Sequence, residues 1–309
     1  MMRKKNNENN IESLTVWKKW VLAARPKTLP AAAAPVIIGT ALALWWEEAS
    51  IFPALAALGG ALWLQIGANL ANDLFDYLRG VDSGKRLGPK RATQEGWLSP
   101  RAVAVGTFFS FLMASICGVY LVYVSSPVII VIGLTAILSA VIYSGGPFPV
   151  GYHSLGDVFV FLYFGVIGVA GTFFVQANTI NWLVIGSSIP VGLLIVNILV
   201  VNNYRDLNRD KETGKITLAV RLGPKLTKAQ FQLNLILAYS IVLLLVVLEP
   251  VLVGSLAVLF SVPFGVNLVK ELNINQGKEL NSTLAKAGQL AFGFSVLYFL
   301  GLAASKLTL

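Results

Sequence analysis

Charge is scarce in this sequence. Of its 309 residues only 13% are Asp, Glu, Lys or Arg, against about 25% in an ordinary soluble protein. A soluble domain of this length could not cover its surface with so few charges. The shortage excludes disorder and a nucleic-acid scaffold with a dispersed basic surface, so no nucleic-acid partner is expected, and it argues against a soluble enzyme. Cysteine is nearly missing too. Cys117 stands alone inside an apolar run, which excludes an intrachain disulfide and a cysteine-based metal cluster. Histidine occurs once, as His153. Strand-like alternation is absent. The first 20 residues are polar, so no cleavable secretory signal is expected ahead of the first apolar run.

Apolar residues fill the space that charge leaves, at 56% of the chain and a mean hydropathy of +0.71. A spanning helix needs about 20 predominantly apolar residues. Nine such stretches appear, near 28–46, 51–72, 102–124, 127–146, 156–176, 182–204, 231–248, 250–269 and 287–305. The expectation is an all-α polytopic membrane protein. Residues 1–20 read as a polar N-terminal segment, with Trp17 to Trp20 at the headgroup level, and 21–309 as a single transmembrane domain.

The basic residues are lopsided across these spans. Of the 24 Lys and Arg, 23 fall on the N-terminal side of the membrane, and only Lys306 falls on the other. Retention of Lys/Arg-rich loops in the cytoplasm puts the N-terminus inside and the C-terminus outside. The hairpins on the far side are too short to carry chemistry. Function must face the cytoplasm or lie within the bundle.

Two cytoplasmic loops open on related acidic sequence. Shifted by 130 residues, Asn72 falls on Asn202, Asp76 on Asp206, Arg79 on Arg209, Asp82 on Glu212, Gly84 on Gly214 and Lys85 on Lys215. A pattern shared at one offset suggests a duplicated helical unit. On a helix Asp73 and Asp76, and Asp206 and Asp210, share a face, joined by Asn69 and Asn202 respectively. Crowded carboxylates at the end of a membrane helix repel, and desolvation adds to the penalty. Mg²⁺ relieves both, because it takes oxygen ligands and bridges a few carboxylates to substrate phosphates. Arg79, Lys85, Arg205, Arg209 and Lys215 lie among the acids and suit an anion with several phosphate oxygens. Acids, bases and glycine turns at the mouth of an apolar bundle describe a site for a lipid diphosphate. Gly84-Lys85 and Gly214-Lys215 do not fit the spacing of a nucleotide P-loop.

At these residues the chain resembles the UbiA superfamily of intramembrane aromatic prenyltransferases, from about residue 20 to 305. Its signature is here Asn72-Asp73-x2-Asp76 and Asp206-x3-Asp210. In the first motif Gly80 stands where the familiar pattern has a third Asp, and Asp82 follows two residues later. That variant resembles the branch that prenylates 1,4-dihydroxy-2-naphthoate. So do Ala24 to Pro30, Gly88 to Arg91 followed by Gln94-Glu95-Gly96, Tyr143 to Pro147, and Gly151 to Asp157.

The resemblance implies nine helices around a central cavity, capped by helical loops on the cytoplasmic side. It implies that Asp73, Asp76, Asp206 and Asp210 hold Mg²⁺ on the diphosphate of a prenyl donor, supported by Asn69 and Asn72. Arg25, Lys27 and Lys215 become candidates for diphosphate contact, with Arg79, Arg205 and Arg209 behind them. Metal and cations would stabilise the leaving diphosphate. The naphthoate ring would then attack the allylic cation at its carboxylate-bearing carbon and lose CO₂. Water must be excluded, and Tyr143, Tyr152 and Tyr204 are candidates to face the cation. His153 is a candidate to bind the acceptor carboxylate or to take a ring proton, with Asp157 in the same loop.

Other acceptors are 4-hydroxybenzoate, homogentisate and chlorophyllide, against which the Gly-x-Asp variant argues. A cation-coupled transporter also puts acids in membrane helices, but near the midplane, whereas these sit at helix ends. A phosphotransferase would need an Asp-Gly-x2-Ala-Arg that is missing here. Nothing in the sequence marks the floor of the cavity, so phytyl and polyprenyl donors remain open.

Overall fold

The structure, a computed structural model, describes residues 15–81 and 86–308. Asp82, Gly84 and Lys85 of the first motif lie outside the described residues. Apart from one isolated parallel bridge between His153 and Ile216, the described residues hold only helices and loops.

Helix α1 (Val16–Ala24) starts at Thr15, whose side chain accepts from the Lys18 N–H, and ends at Arg25, which adopts a left-handed conformation with φ 53°. After a short 3₁₀ turn, α2 (Leu29–Trp45) enters the bundle. Then follow α3 (Ile51–Leu78), α4 (Pro100–Val124), α5 (Val128–Ile142), α6 (Gly156–Ala177), α7 (Trp182–Glu212), α8 (Leu218–Leu248), α9 (Pro250–Ile274) and α10 (Leu280–Thr308). Each of the nine expected stretches falls on a helix. Eight helical segments are long and apolar enough to cross a membrane. The stretch expected at 127–146 yields only α5, 15 residues, or about 22 Å at 1.5 Å per residue. Pro127 delays its start, and Ser144-Gly145-Gly146 ends it.

Helices α3 and α7 overshoot the hydrocarbon. At 28 and 31 residues they exceed the roughly 20 needed to span it, and their last turns carry the two acidic motifs beyond it. Each ends at a left-handed glycine, Gly80 (φ 70°) and Gly214 (φ 75°). The following N–H reaches back to Asp76 and Asp210 carbonyls respectively, the closing pattern of a Schellman motif. The motifs match at an offset of 130, yet α7 runs one turn further than α3 before its glycine.

Helix α7 is the most buried span and packs along α8 and α10, while α2 packs on α6 and α10. Their core includes Ile38, Phe173, Val191, Phe231, Leu268 and Phe294. Small residues let backbones touch where no hydrophobic force separates helix from lipid: a side chain at Gly254 would collide with the Gly301 carbonyl. Helix α3 pairs with α4, and α3, α4 and α5 form a looser wall. Exposed Phe108, Val119, Ile130 and Leu134 on its outside suit contact with lipid.

Candidate active site

The lining of α3 follows helical spacing. Gln65, Asn69, Asn72 and Asp76 stand on one stripe and face a cavity of about 440 Å³. Asp73 does not line it. Its carboxylate accepts the Ala92 N–H (2.8 Å) and the Thr93 hydroxyl, which ties down the loop after α3. Asp73 and Asp76, expected to share one face of the site, are therefore parted, and the cavity is lined by Asn72 and Asp76, four residues apart. The tethered loop presents Arg91, which pairs with Asp76 Oδ2 at 2.5 Å and donates to the Asn72 carbonyl at 2.7 Å. Both side chains of that pair are buried. The Tyr152 hydroxyl donates to Asp76 Oδ1 at 2.5 Å.

Asn69 donates to the Thr28 hydroxyl (2.9 Å) and to the Ala24 carbonyl (3.0 Å), and Thr28 donates to the Arg25 carbonyl. Asn69 thus holds the bend that turns Arg25 into the cavity. Arg25 Nη2 is buried there with no hydrogen-bond partner. A buried unpaired guanidinium nitrogen is expensive, and it marks a place for an anion.

The second motif builds the facing wall. Arg205 donates to both Asp206 oxygens (3.0 and 2.6 Å), to Asn202 (2.8 Å) and to Asn281 (2.8 Å). Four of its five N–H donors are taken inside the protein, so it acts as a scaffold clamp, with Gly88 packed against its guanidinium. Asp210 lies within electrostatic reach of Asp206 and Asp76. Lys215 Nζ stands 4.0 Å from Asp210 and 5.2 Å from the centre of the Tyr152 ring. The Arg79 guanidinium is 5.5 Å from that ring's centre. Tyr152 therefore ties the two motifs together. Burial, then the nearby Asp76, pushes its phenol well above the ordinary range. Burial and Asp157 do the same to Tyr143, which lines the cavity. Both keep their protons at neutral pH.

Several expected substrate contacts sit elsewhere. Arg79 donates to the Ser144 and Gly146 carbonyls, and Arg209 donates to the Val81 carbonyl; both pin loops. Lys27 is exposed and is not among the lining residues. His153 holds the Pro149 carbonyl through Nδ1 at 2.8 Å and stacks on Phe148 at 3.7 Å, outside the cavity lining. Asp157 accepts from Gln230. Arg25, Asn69, Asn72, Asp76, Tyr143 and Lys215 do meet at the cavity. Sequence reasoning gave no role to Arg86 and Arg91, which also line it. The signal was there: a basic run directly after an acidic helix end.

Below this mouth the lining turns apolar, with Pro35, Leu64, Tyr163, Phe164 and Ile198 among it. Tyr163 and Phe164 belong to a π-helical stretch, Phe161–Ile167, inside α6, a distortion often found at functional sites.

A divalent cation can be tested against these donors. Among the described residues no three His, Cys, Asp or Glu side chains form a group that could hold a metal ion. Of the acids, Asp76 lines the cavity while Asp206 and Asp210 stand behind its lining; Asp210 feels the charge of both Asp206 and Asp76, and Asp206 is held by Arg205. An oxygen-only set, too sparse to be a closed cage, fits Mg²⁺ completed by water and substrate phosphate.

Membrane-spanning helices enclose a cavity with a charged mouth and an apolar interior, a shape and polarity suited to a lipid with an anionic head. Residues 32–304 match the model of the UbiA prenyltransferase family, and the chain belongs to that family. It is 37% identical over 285 residues to a Mycobacterium tuberculosis protein named 1,4-dihydroxy-2-naphthoate octaprenyltransferase, covering 89% of this chain and 97% of that one. A Bacillus subtilis protein of the same name is 34% identical, covering 81% of this chain and 80% of its own length. Among solved structures, a UbiA homolog from Archaeoglobus fulgidus bound to DMAPP and Mg²⁺ superposes with a TM-score of 0.65 at 14% identity. That match covers 92% of this chain and 99% of the homolog, and it speaks to the fold.

Proposed function

We propose that this protein transfers a prenyl group, polyprenyl or phytyl, from its diphosphate to 1,4-dihydroxy-2-naphthoate, releasing diphosphate and CO₂ and giving a demethylated naphthoquinol. The observation that carries this reading is the cavity itself, whose charges gather at one end above an apolar interior. The relatives named above supply the acceptor. The lopsided Lys and Arg support a mouth facing the cytoplasm.

The donor's head lies among Arg25, Arg91 and Lys215, and its tail lies in the apolar cavity. Mg²⁺ held by Asp76, Asp206 and Asp210 would supply neutralisation of the leaving diphosphate. Arg25, with a free buried donor, is preorganised for that anion. The allylic C–O bond breaks with its electron pair going to the diphosphate. The apolar walls exclude water that would otherwise trap the allylic cation. The ring carbon bearing the carboxylate forms the new C–C bond. The bond to the carboxylate then breaks, CO₂ leaves, and its electron pair restores the ring. No ring proton is removed, which accords with the position of His153 outside the cavity lining.

Purified protein incubated with Mg²⁺, the naphthoate and prenyl diphosphates of several lengths should yield prenylated naphthoquinol. Chelation should stop the reaction and Mg²⁺ restore it. No product across all donor lengths would refute the reading, and an acceptor panel with 4-hydroxybenzoate and homogentisate tests the choice of ring.

A further inference from the structure

The far end of the cavity is closed by Leu121 of α4, Ile129 of α5 and Val175 of α6, which form one buried cluster. Each of these helices carries a glycine one turn nearer the mouth: Gly118, Gly133 and Gly171. The order is consistent with chain direction. Helices α4 and α6 run away from the mouth, so their glycine precedes the closing residue, whereas in α5 it follows. A Cβ built on any of the three points into open space, with no neighbouring side chain or other helix within 4 Å.

Glycine in a helix interior is about 1 kcal/mol less favourable than alanine. Close helix packing is the usual reason for it in membranes, and it does explain Gly168, whose Cβ would lie 2.9 Å from Pro35. It does not explain Gly118, Gly133 or Gly171. What their missing side chains leave is bore. Counting down α5 from Tyr143 at the mouth, Gly133 is about 15 Å and Ile129 about 21 Å deep at the helical rise. At the other end of the same cavity, the unpartnered Arg25 Nη2 marks where an anionic head is held. The two ends together bound the length of chain that fits between head and floor.

We propose that Gly118, Gly133 and Gly171 form a ring that determines the donor chain length the enzyme accepts, with Leu121, Ile129 and Val175 as the stop beneath it. This rests on the cavity being the donor site. A side chain on the ring raises the floor by one turn, and a smaller residue at the stop lowers it.

The test compares kcat/KM for geranyl, farnesyl and geranylgeranyl diphosphate, with the naphthoate fixed, in the wild type, Gly133→Leu, Gly118→Leu and Leu121→Ala. The leucine variants should keep geranyl turnover and lose the longest donor by about tenfold or more, the scale of a few misplaced methylenes. Leu121→Ala should shift preference towards the longest donor. An unchanged ratio of long to short donors in these variants overturns the ring, as does an equal loss on all donors in protein whose thermal unfolding matches the wild type. If a leucine variant does not fold, the Leu121→Ala ratio decides. A wild type inactive on every donor overturns the functional reading instead.

Discussion

Asp73 and Asp76 stand three residues apart on one helix, yet the structure gives them separate work, and substituting each by asparagine should separate them. In Asp73→Asn the amide oxygen still accepts the Ala92 N–H, and the amide nitrogen donates to the Thr93 hydroxyl, which can reverse its role. Geometry survives and charge is lost. A hydrogen bond to a charged group contributes about 1.5–3 kcal/mol and a neutral one about 0.5–1.5, so two such bonds weaken by about 2 kcal/mol together. That loss falls on the docking of the loop that presents Arg91. If all of it reached the transition state, the rate would fall by about thirtyfold. In Asp76→Asn the partner is Arg91 itself, buried and left without its carboxylate, a change of about 3–5 kcal/mol, and the proposed metal loses an oxygen ligand. The assay is turnover against Mg²⁺ concentration. Asp73→Asn should lower kcat/KM by at most about thirtyfold with an unchanged half-activating Mg²⁺ concentration, whereas Asp76→Asn should show no measurable turnover. Equal weakening of Mg²⁺ activation by the two substitutions would refute a purely positioning role for Asp73.

Three further outcomes follow from the same geometry. His153→Gln should keep kcat within about twofold, because the reaction needs no ring base; a collapse of kcat with unchanged unfolding temperature would contradict this. Gly88→Ala places a Cβ 2.7 Å from Arg205 Nη2, which Asn202 and Asp206 hold in place, so unfolding in detergent should show about 1–3 kcal/mol of destabilisation. Tyr152 keeps its proton in the folded protein beyond the pH at which the unfolded phenol ionises. Folding therefore retains a proton that the unfolded chain releases, so stability is level at neutral pH and falls as pH rises past about 10. Tyr152→Phe should flatten that fall, as read by thermal unfolding across alkaline buffers.

Much of the fold was legible because a bilayer imposes its thickness on the sequence. Nine apolar stretches landed on helices, and the one that fell short, α5, is flanked by a proline and a glycine pair. The offset of 130 also carried real information: Arg79 and Arg209, matched by it, both donate to carbonyls of neighbouring loops. The direction of individual side chains was not legible. Asp73 and Asp76 look equivalent by spacing, and only the loop around Ala92 and Thr93, folded back from 19 residues on, separates them. Arg91 was hidden for the same reason, since its partner lies across a turn of unconstrained length. His153 drew attention by its rarity, which says nothing of where a ring nitrogen points. Lys27 is next to a bend whose inward residue is Arg25, and one step in a left-handed turn reverses which of the two faces the cavity.

The shortness of α5 has a consequence for the membrane as well as for the cavity. Its exposed face, with Ile130, Val131, Leu134 and Leu138, covers about 22 Å of a hydrocarbon layer about 30 Å thick. A span that short is met by local thinning of the bilayer, by snorkelling of its flanking residues or by association with another copy, each at a modest free energy per ångström. One wall of the cavity is therefore under load from the bilayer, and lipid chain length becomes a variable of the enzyme. Reconstitution in thinner bilayers relieves that load on α5 alone.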